Sequence, residues 1–321
     1  MLEITKDMLD QTIEAERKNK ASLDKSSQKT AYRMVALVGI EFAVLFILLL
    51  SNFWDALIYV AIILAIDFVL FFGVTVLISR KYISGFKVST FVRAFKDHKF
   101  NQAVMAADND TKIFMYEYRL AKAKGGEKLL FINALIPMYL RISENDKAEA
   151  LLKESENIVP KNFLQSSSKA VNYLTFYGAV SDGESFIRAY RENEAVISEM
   201  WNNVLTIKIE ALKYTAVFLA YSKEYDKAIE YYLNLIEFQE KAGEIDASCA
   251  INEEGKNAYN IDLAILYCKS GNTEKAVEYF REAKDFFADT NQTFIISALD
   301  KAEKTLAEAG IDLSDVSETE V

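Results

Sequence analysis

An all-α chain, with a two-helix membrane hairpin ahead of a larger helical-repeat body, is what this sequence predicts, and three observations lead there. Only two prolines and eleven glycines occur in 321 residues. Pro breaks helices and central strands and Gly marks tight turns, so this scarcity favours long helices over a turn-rich β architecture. Two apolar runs lie between residues 34 and 79, and beyond residue 81 the chain becomes amphipathic at helical spacing and contains near-repeats. The expected domains are an N-terminal segment 1–31, a transmembrane hairpin 32–81, a helical-repeat domain 82–310 and a disordered acidic tail 311–321.

The apolar runs are Met34–Leu50 and Ala56–Ser79, seventeen and twenty-four residues with one charge each. As helices they would extend roughly 26 and 36 Å, enough to cross a hydrocarbon core of about 30 Å. A soluble core helix keeps a polar stripe, and these runs are apolar nearly all round. Arg17, Lys18, Lys20, Lys25, Lys29 and Arg33 precede the first run; Arg80, Lys81, Lys87 and Arg93 follow the second; the Ser51–Asp55 loop has no basic residue. The positive-inside rule then predicts a multi-pass protein of the cell (inner) membrane, with both termini and the repeat domain cytoplasmic. Phe53 and Trp54 at the outer tip, and Tyr32 and Tyr82 at the inner ends, fit interfacial aromatic belts. A cleaved signal peptide is not expected, because a strongly charged stretch of 33 residues, seven basic and six acidic, comes first.

Each span carries one acid, Glu41 and Asp67, at matched depth in an antiparallel hairpin. An acid near mid-bilayer is costly, which points to a hydrogen bond to a neighbouring helix, and so to homo- or hetero-oligomers through the hairpin, or to an ion or proton role.

Residues 100–321 hold 24 basic and 37 acidic side chains, a net of −13, and an acidic body argues against nucleic acid as a partner. Cys249 and Cys268 lie nineteen residues apart with no CxxC pair and no nearby histidine, which suits plain reduced thiols and neither a zinc site nor a disulfide framework. The one histidine, His98, sits beside Asp97 on a basic stretch and reads as a surface residue. There is no GxxxxGK[ST], GxGxxG, HExxH or GxSxG. No enzyme activity, cofactor or metal site is expected.

Three stretches share a spacing. Residues 129–162 carry Ile132, Leu135, Ile136 and Tyr139, then Ala148, Leu152 and Pro160; residues 209–242 carry Leu212, Ala216, Leu219, Tyr225, Ala228, Tyr232 and Leu235; residues 257–290 carry Leu263, Ala264, Tyr267, Gly271, Ala276, Phe280 and Ala283. All three resemble the tetratricopeptide repeat, a helix-turn-helix unit of 34 residues in which small residues let two helices approach and large ones fill the gap around them. The stretch around Ala103 looks like a degenerate opening repeat, 163–208 reads as an irregular hairpin off the pattern, and Thr293–Gly310 reads as a closing helix.

The resemblance implies an α-solenoid whose stacked first helices line a groove for a protein or peptide partner. Carried over position by position, the groove residues are Asn133, Pro137 and Arg141, then Lys213, Val217 and Tyr221, then Ile261, Ile265 and Lys269. Arg141, Lys213 and Lys269 make this line more basic than the body around it. Family members that clamp a chaperone's C-terminal carboxylate have an Asn where this chain has Pro137, Val217 and Ile265, so that ligand is not expected. The function implied is a membrane-anchored scaffold or adaptor. The alternative is an accessory subunit of a membrane transporter or secretion complex that uses the hairpin and its acids.

Overall fold

A computed structural model of the chain describes residues 3–22, 24–25, 99–100, 102–104, 106–311 and 313. Among them every regular element is helical and none is a strand, in accord with the expected all-α class. The chain divides into two compact units, Met1–Glu16 with Asn109–Val321, and Arg17–Asp108. In the second unit the described residues include helical turns at 17–22, 24–25, 99–100 and 102–104, with Val104 buried and Ala103 exposed. The expected hairpin 32–81, with Glu41 and Asp67, and the tail after 313 lie outside the described residues. Among those described, no helix is long and apolar enough to cross a membrane.

The first unit is built from helices joined by short turns. After α1 (residues 6–22, its first part in this unit) come α2 (Asn109–Lys122), α3 (Lys128–Arg141), α4 (Asn145–Glu156), α5 (Phe163–Ala179), α6 (Gly183–Glu192), α7 (Glu194–Met200), α8 (Leu205–Tyr221), α9 (Tyr225–Ile245), α10 (Glu253–Ser270), α11 (Thr273–Phe286) and α12 (Thr293–Glu308). Four pairs, α3/α4, α5/α6, α8/α9 and α10/α11, pack as antiparallel hairpins.

These four hairpins turn in one way. Ser143, Ser181, Lys223 and Gly271 each have positive φ. In every case the N–H of that residue donates to the carbonyl three residues back, at 3.1–3.2 Å, and the next N–H donates to the carbonyl five residues back, at 2.9–3.0 Å. This is the Schellman arrangement, which satisfies carbonyls that a helix end leaves without partners. In two of the four the following helix is started by a polar side-chain cap, Asp182 accepting from Ser185 N and Asn272 from Lys275 N, whereas Glu144 and Glu224 make no such bond.

Packing across three of the hairpins follows the sequence expectation. Ala148, Ala216, Ala228, Ala264 and Ala276 are fully buried, as is Ile136. The pair α5/α6 differs in how it fills the crossing, not in its turn. Leu174 and Phe186 stand where the last repeat has Ala264 and Ala276, and the Phe186 ring packs over Gly178, where a Cβ would sit at ordinary van der Waals distance, 3.5 Å. Residues 163–192 are therefore a fourth hairpin of the same kind, where the sequence reading expected an irregular one.

One continuous core runs from α5 to α12, and a second apolar cluster of α3, α4 and Phe176 joins it through Tyr173 and Tyr177. Residues 3–16, assigned from sequence to a segment of their own, pack on this core: Ile4, Leu9 and Ile13 are buried in it. Each such anchor contributes about 1.5–3 kcal/mol. At the other end α12 packs on α10 and α11 and reaches α3, where Ser143 Oγ and Thr293 Oγ1 are 3.1 Å apart and the Arg141 guanidinium lies 5.9 Å from the Phe294 ring.

Candidate functional site

Polar side chains from four helices and one turn converge around Asp262. They are Tyr214 and Tyr221 of α8, Tyr232 of α9, Tyr259 and Asp262 of α10, Lys301 of α12 and Ser181 in the α5–α6 turn. The Tyr232 hydroxyl donates to Asp262 Oδ2 at 3.1 Å and the Tyr221 hydroxyl to the Gly178 carbonyl at 3.4 Å. Lys301 Nζ donates to Ser181 Oγ at 3.1 Å. Tyr214 and Thr175 hydroxyls are 2.7 Å apart, and the Tyr232 and Tyr259 rings meet edge-on at 5.7 Å. Gly183 lets the α5–α6 turn come this close, since a Cβ there would lie 2.7 Å from the Tyr221 ring.

Asp262 is solvent-exposed on its open side. The protein packed around its other sides nonetheless pushes its carboxyl above the ordinary value, against the opposing pull of Tyr232, Lys301 and Lys213. Asp262 is thus the exposed centre of a polar patch ringed by Tyr221, Tyr232, Lys213 and Lys301. Burial also raises the hydroxyls of Tyr214, Tyr221, Tyr232 and Tyr259, and nearby Glu210 or Asp262 raises them further. They stay protonated and act as hydrogen-bond donors. Lys213 Nζ lies 3.7 Å from Glu210 Oε2 and 5.1 Å from the Tyr214 ring. The patch thus presents two ammonium groups, the exposed Asp262 carboxylate and the half-buried Tyr221 and Tyr259, groups that a polar peptide backbone can use, while the Tyr214 and Tyr232 hydroxyls are buried and bonded within the fold.

The sequence-derived groove residues divide. Lys213 and Tyr221 belong to the polar patch around Asp262. Asn133 and Pro137 are half-buried in α3, where Pro137 deprives the Asn133 carbonyl of its helical N–H donor. Arg141 is exposed over Phe294. Val217 and Ile265 are half-buried against the core. Ile261 is a correction: only 2% of it is exposed, and its neighbour Asp262 takes the open position. The helix rotation that aims Asp262 outward turns Ile261 inward. Lys269 is exposed near the Tyr225 ring at 5.8 Å, two turns along α10 from Asp262. Asp262 itself, Tyr259 and Lys301 were missed. The one sequence signal was an acid inside the apolar run of Ile261, Leu263, Ala264 and Ile265.

Two cavities lie elsewhere. An open trough of about 830 Å³ runs between α11 and the end of α12 past Glu278, Arg281 and Ile311. Another of about 540 Å³ lies over Phe287, Ile296 and Leu299, with Lys284 of α11 and Glu303 of α12 on its wall. The patch around Asp262 draws its polar groups from more elements than either, which makes it the better site. Cys249 and Cys268 are buried and burial pushes both thiols up, which makes them unreactive. Among the described residues no cluster of His, Cys, Asp and Glu could hold a metal ion. His98 lies outside the described residues. Set against protein-family models, curated proteins and solved structures, the chain matches none of them.

Proposed function

We propose that this chain is a membrane-anchored scaffold whose helical-repeat body, of tetratricopeptide-like α-solenoid type, holds a protein or peptide segment against the polar patch around Asp262. The observation that carries the reading is the four hairpins with one turn geometry, each too thin to bury its own faces and each stacked on the next. A repeat body of this kind binds through surface groups and not through a reaction centre, in keeping with a non-catalytic role. The membrane anchor rests on the two apolar runs and their flanking charges. Packing of residues 3–16 on the body supports a topology in which both flanks of those runs lie on one side, the cytoplasmic one by the charge rule.

The test is capture from membranes by photocrosslinking, with the crosslinking amino acid placed at Lys213 or Lys301 of the full chain. A discrete adduct at both positions, lost in Asp262→Lys, supports the scaffold. Adducts with lipid or none would sink it. The two intramembrane acids favour a second reading, an accessory subunit of a transporter or secretion complex. Glu41→Gln with Asp67→Asn should spare complex formation on native gels if the acids hold helices together. Loss of function with the complex intact would put the accessory reading first.

A further inference from the structure

The N-terminal helix meets α9 in a defined register. Lys6 Nζ is 2.9 Å from Glu237 Oε2, and Lys241 Nζ is 2.7 Å from Asp10 Oδ1, so the two pairs share one offset along the chain. The helices therefore run parallel, with one turn between the pairs on each. Turning α1 round would set Lys6 against Lys241 and Asp10 against Glu237, like charges facing like. The apolar stripe of Ile4, Leu9 and Ile13 is seated, Leu9 and Ile13 beside Phe238. The Tyr231 hydroxyl accepts from the Ile4 backbone N–H at 2.8 Å, which marks where the docked segment begins. Beyond them, the Glu16 charge bears on Lys208 of α8, whose ammonium burial lowers. Apolar anchors, an orientation code and a stop at one end are the parts of a helix-recognition surface.

We infer that this face of α9 is a docking site for an amphipathic helix, that its resident is residues 3–16 of the same chain, and that the contact clasps the two flanks of the apolar segment together. The second half rests on the membrane reading above, because only then does the clasp hold both ends of a hairpin to one body. A helix of the same charge order and stripe from another chain would compete for the site; a helix of reversed charge order would not.

Zero-length carbodiimide coupling of lysine to carboxylate tests this on the full chain in its own membranes. Asp10–Lys241 and Lys6–Glu237 links are expected in a species that migrates as a single chain. The Lys256–Glu240 pair, 3.3 Å apart between α10 and α9, serves as a control in every variant. Asp10→Lys sets two ammonium groups face to face and leaves the Lys6–Glu237 partners intact, so it should cut the yield of the Lys6–Glu237 link at least about threefold. Adding Lys241→Glu should restore that link, which a merely local disturbance would not. An undiminished Lys6–Glu237 link in the first variant, or no recovery in the second, overturns the docking code. Links found only between two chains overturn the resident in cis. Alkaline carbonate release of the chain with its links intact overturns the bilayer clasp and the membrane reading, and leaves the docking site standing.

Discussion

Asp262 titrates higher in the folded chain than its ordinary 3.8, because its surroundings disfavour the charged form. Above that ordinary value, up to the raised one, the folded state binds more protons than the unfolded state, so stability falls as pH rises through this window and stays lowered at neutral pH. Asp262→Asn should therefore unfold at a higher temperature than the parent at pH 7, and the gain should vanish as the pH drops below the ordinary value. A thermal-unfolding series in detergent reads this directly; a gain that persists in acid would assign it to something other than the charge. Asn172 is a second residue under polar strain, fully buried in α5 with no protein partner for either amide atom. An unpaired buried amide is expensive, so Asn172→Leu should hold or raise stability by about 1 kcal/mol. A drop would mean that the amide is bonded in solution.

At the scale of the element, the hairpin turn is the unit to perturb. Gly271 occupies the left-handed position at no steric cost, whereas Lys223 occupies the same position at φ 64° with a side chain. Gly271→Ala should destabilise by about 1 kcal/mol and Lys223→Gly should stabilise by a similar amount. Equal and opposite shifts in melting temperature would establish that the two turns are energetically one motif, and no shift at either would break the equivalence. The α5/α6 hairpin shows why this motif was only partly visible beforehand. Its turn has the serine of the first hairpin, Ser181 for Ser143, but Leu174 and Phe186 break the small-residue spacing, and Phe186 packs instead over Gly178, a position the pattern does not count.

The whole molecule is asked a topological question by its own termini. If the apolar runs cross a bilayer twice, residues 1–16 and 109–311 share a side, as their packing requires, and the Ser51–Asp55 loop faces the other. A cysteine at Asn52 should react with an impermeant thiol reagent in intact cells, and one at Ser317 should not. Labelling at Ser317 alone would reverse the orientation. The same packing also means that a fragment beginning at residue 82 lacks Ile4, Leu9 and Ile13, and so exposes the part of the core those residues cover.

Helix content, the positions of six helices in three hairpins and the closing α12 were legible in the sequence. Each is set by local spacing, by caps and by small residues that only close packing explains, and such signals lie within a few turns of one another. The sequence also placed Lys213 and Tyr221 in the neighbourhood that the structure makes polar. Tertiary structure alone decided the docking of α1 on α9, the approach of α12 to α3, and the exchange of Ile261 for Asp262 at the open position. Those depend on pairs such as Lys6 with Glu237 and Lys301 with Ser181, which meet across long stretches of chain. Their partners are chosen by how helices rotate and stack, and no periodicity within one helix records it.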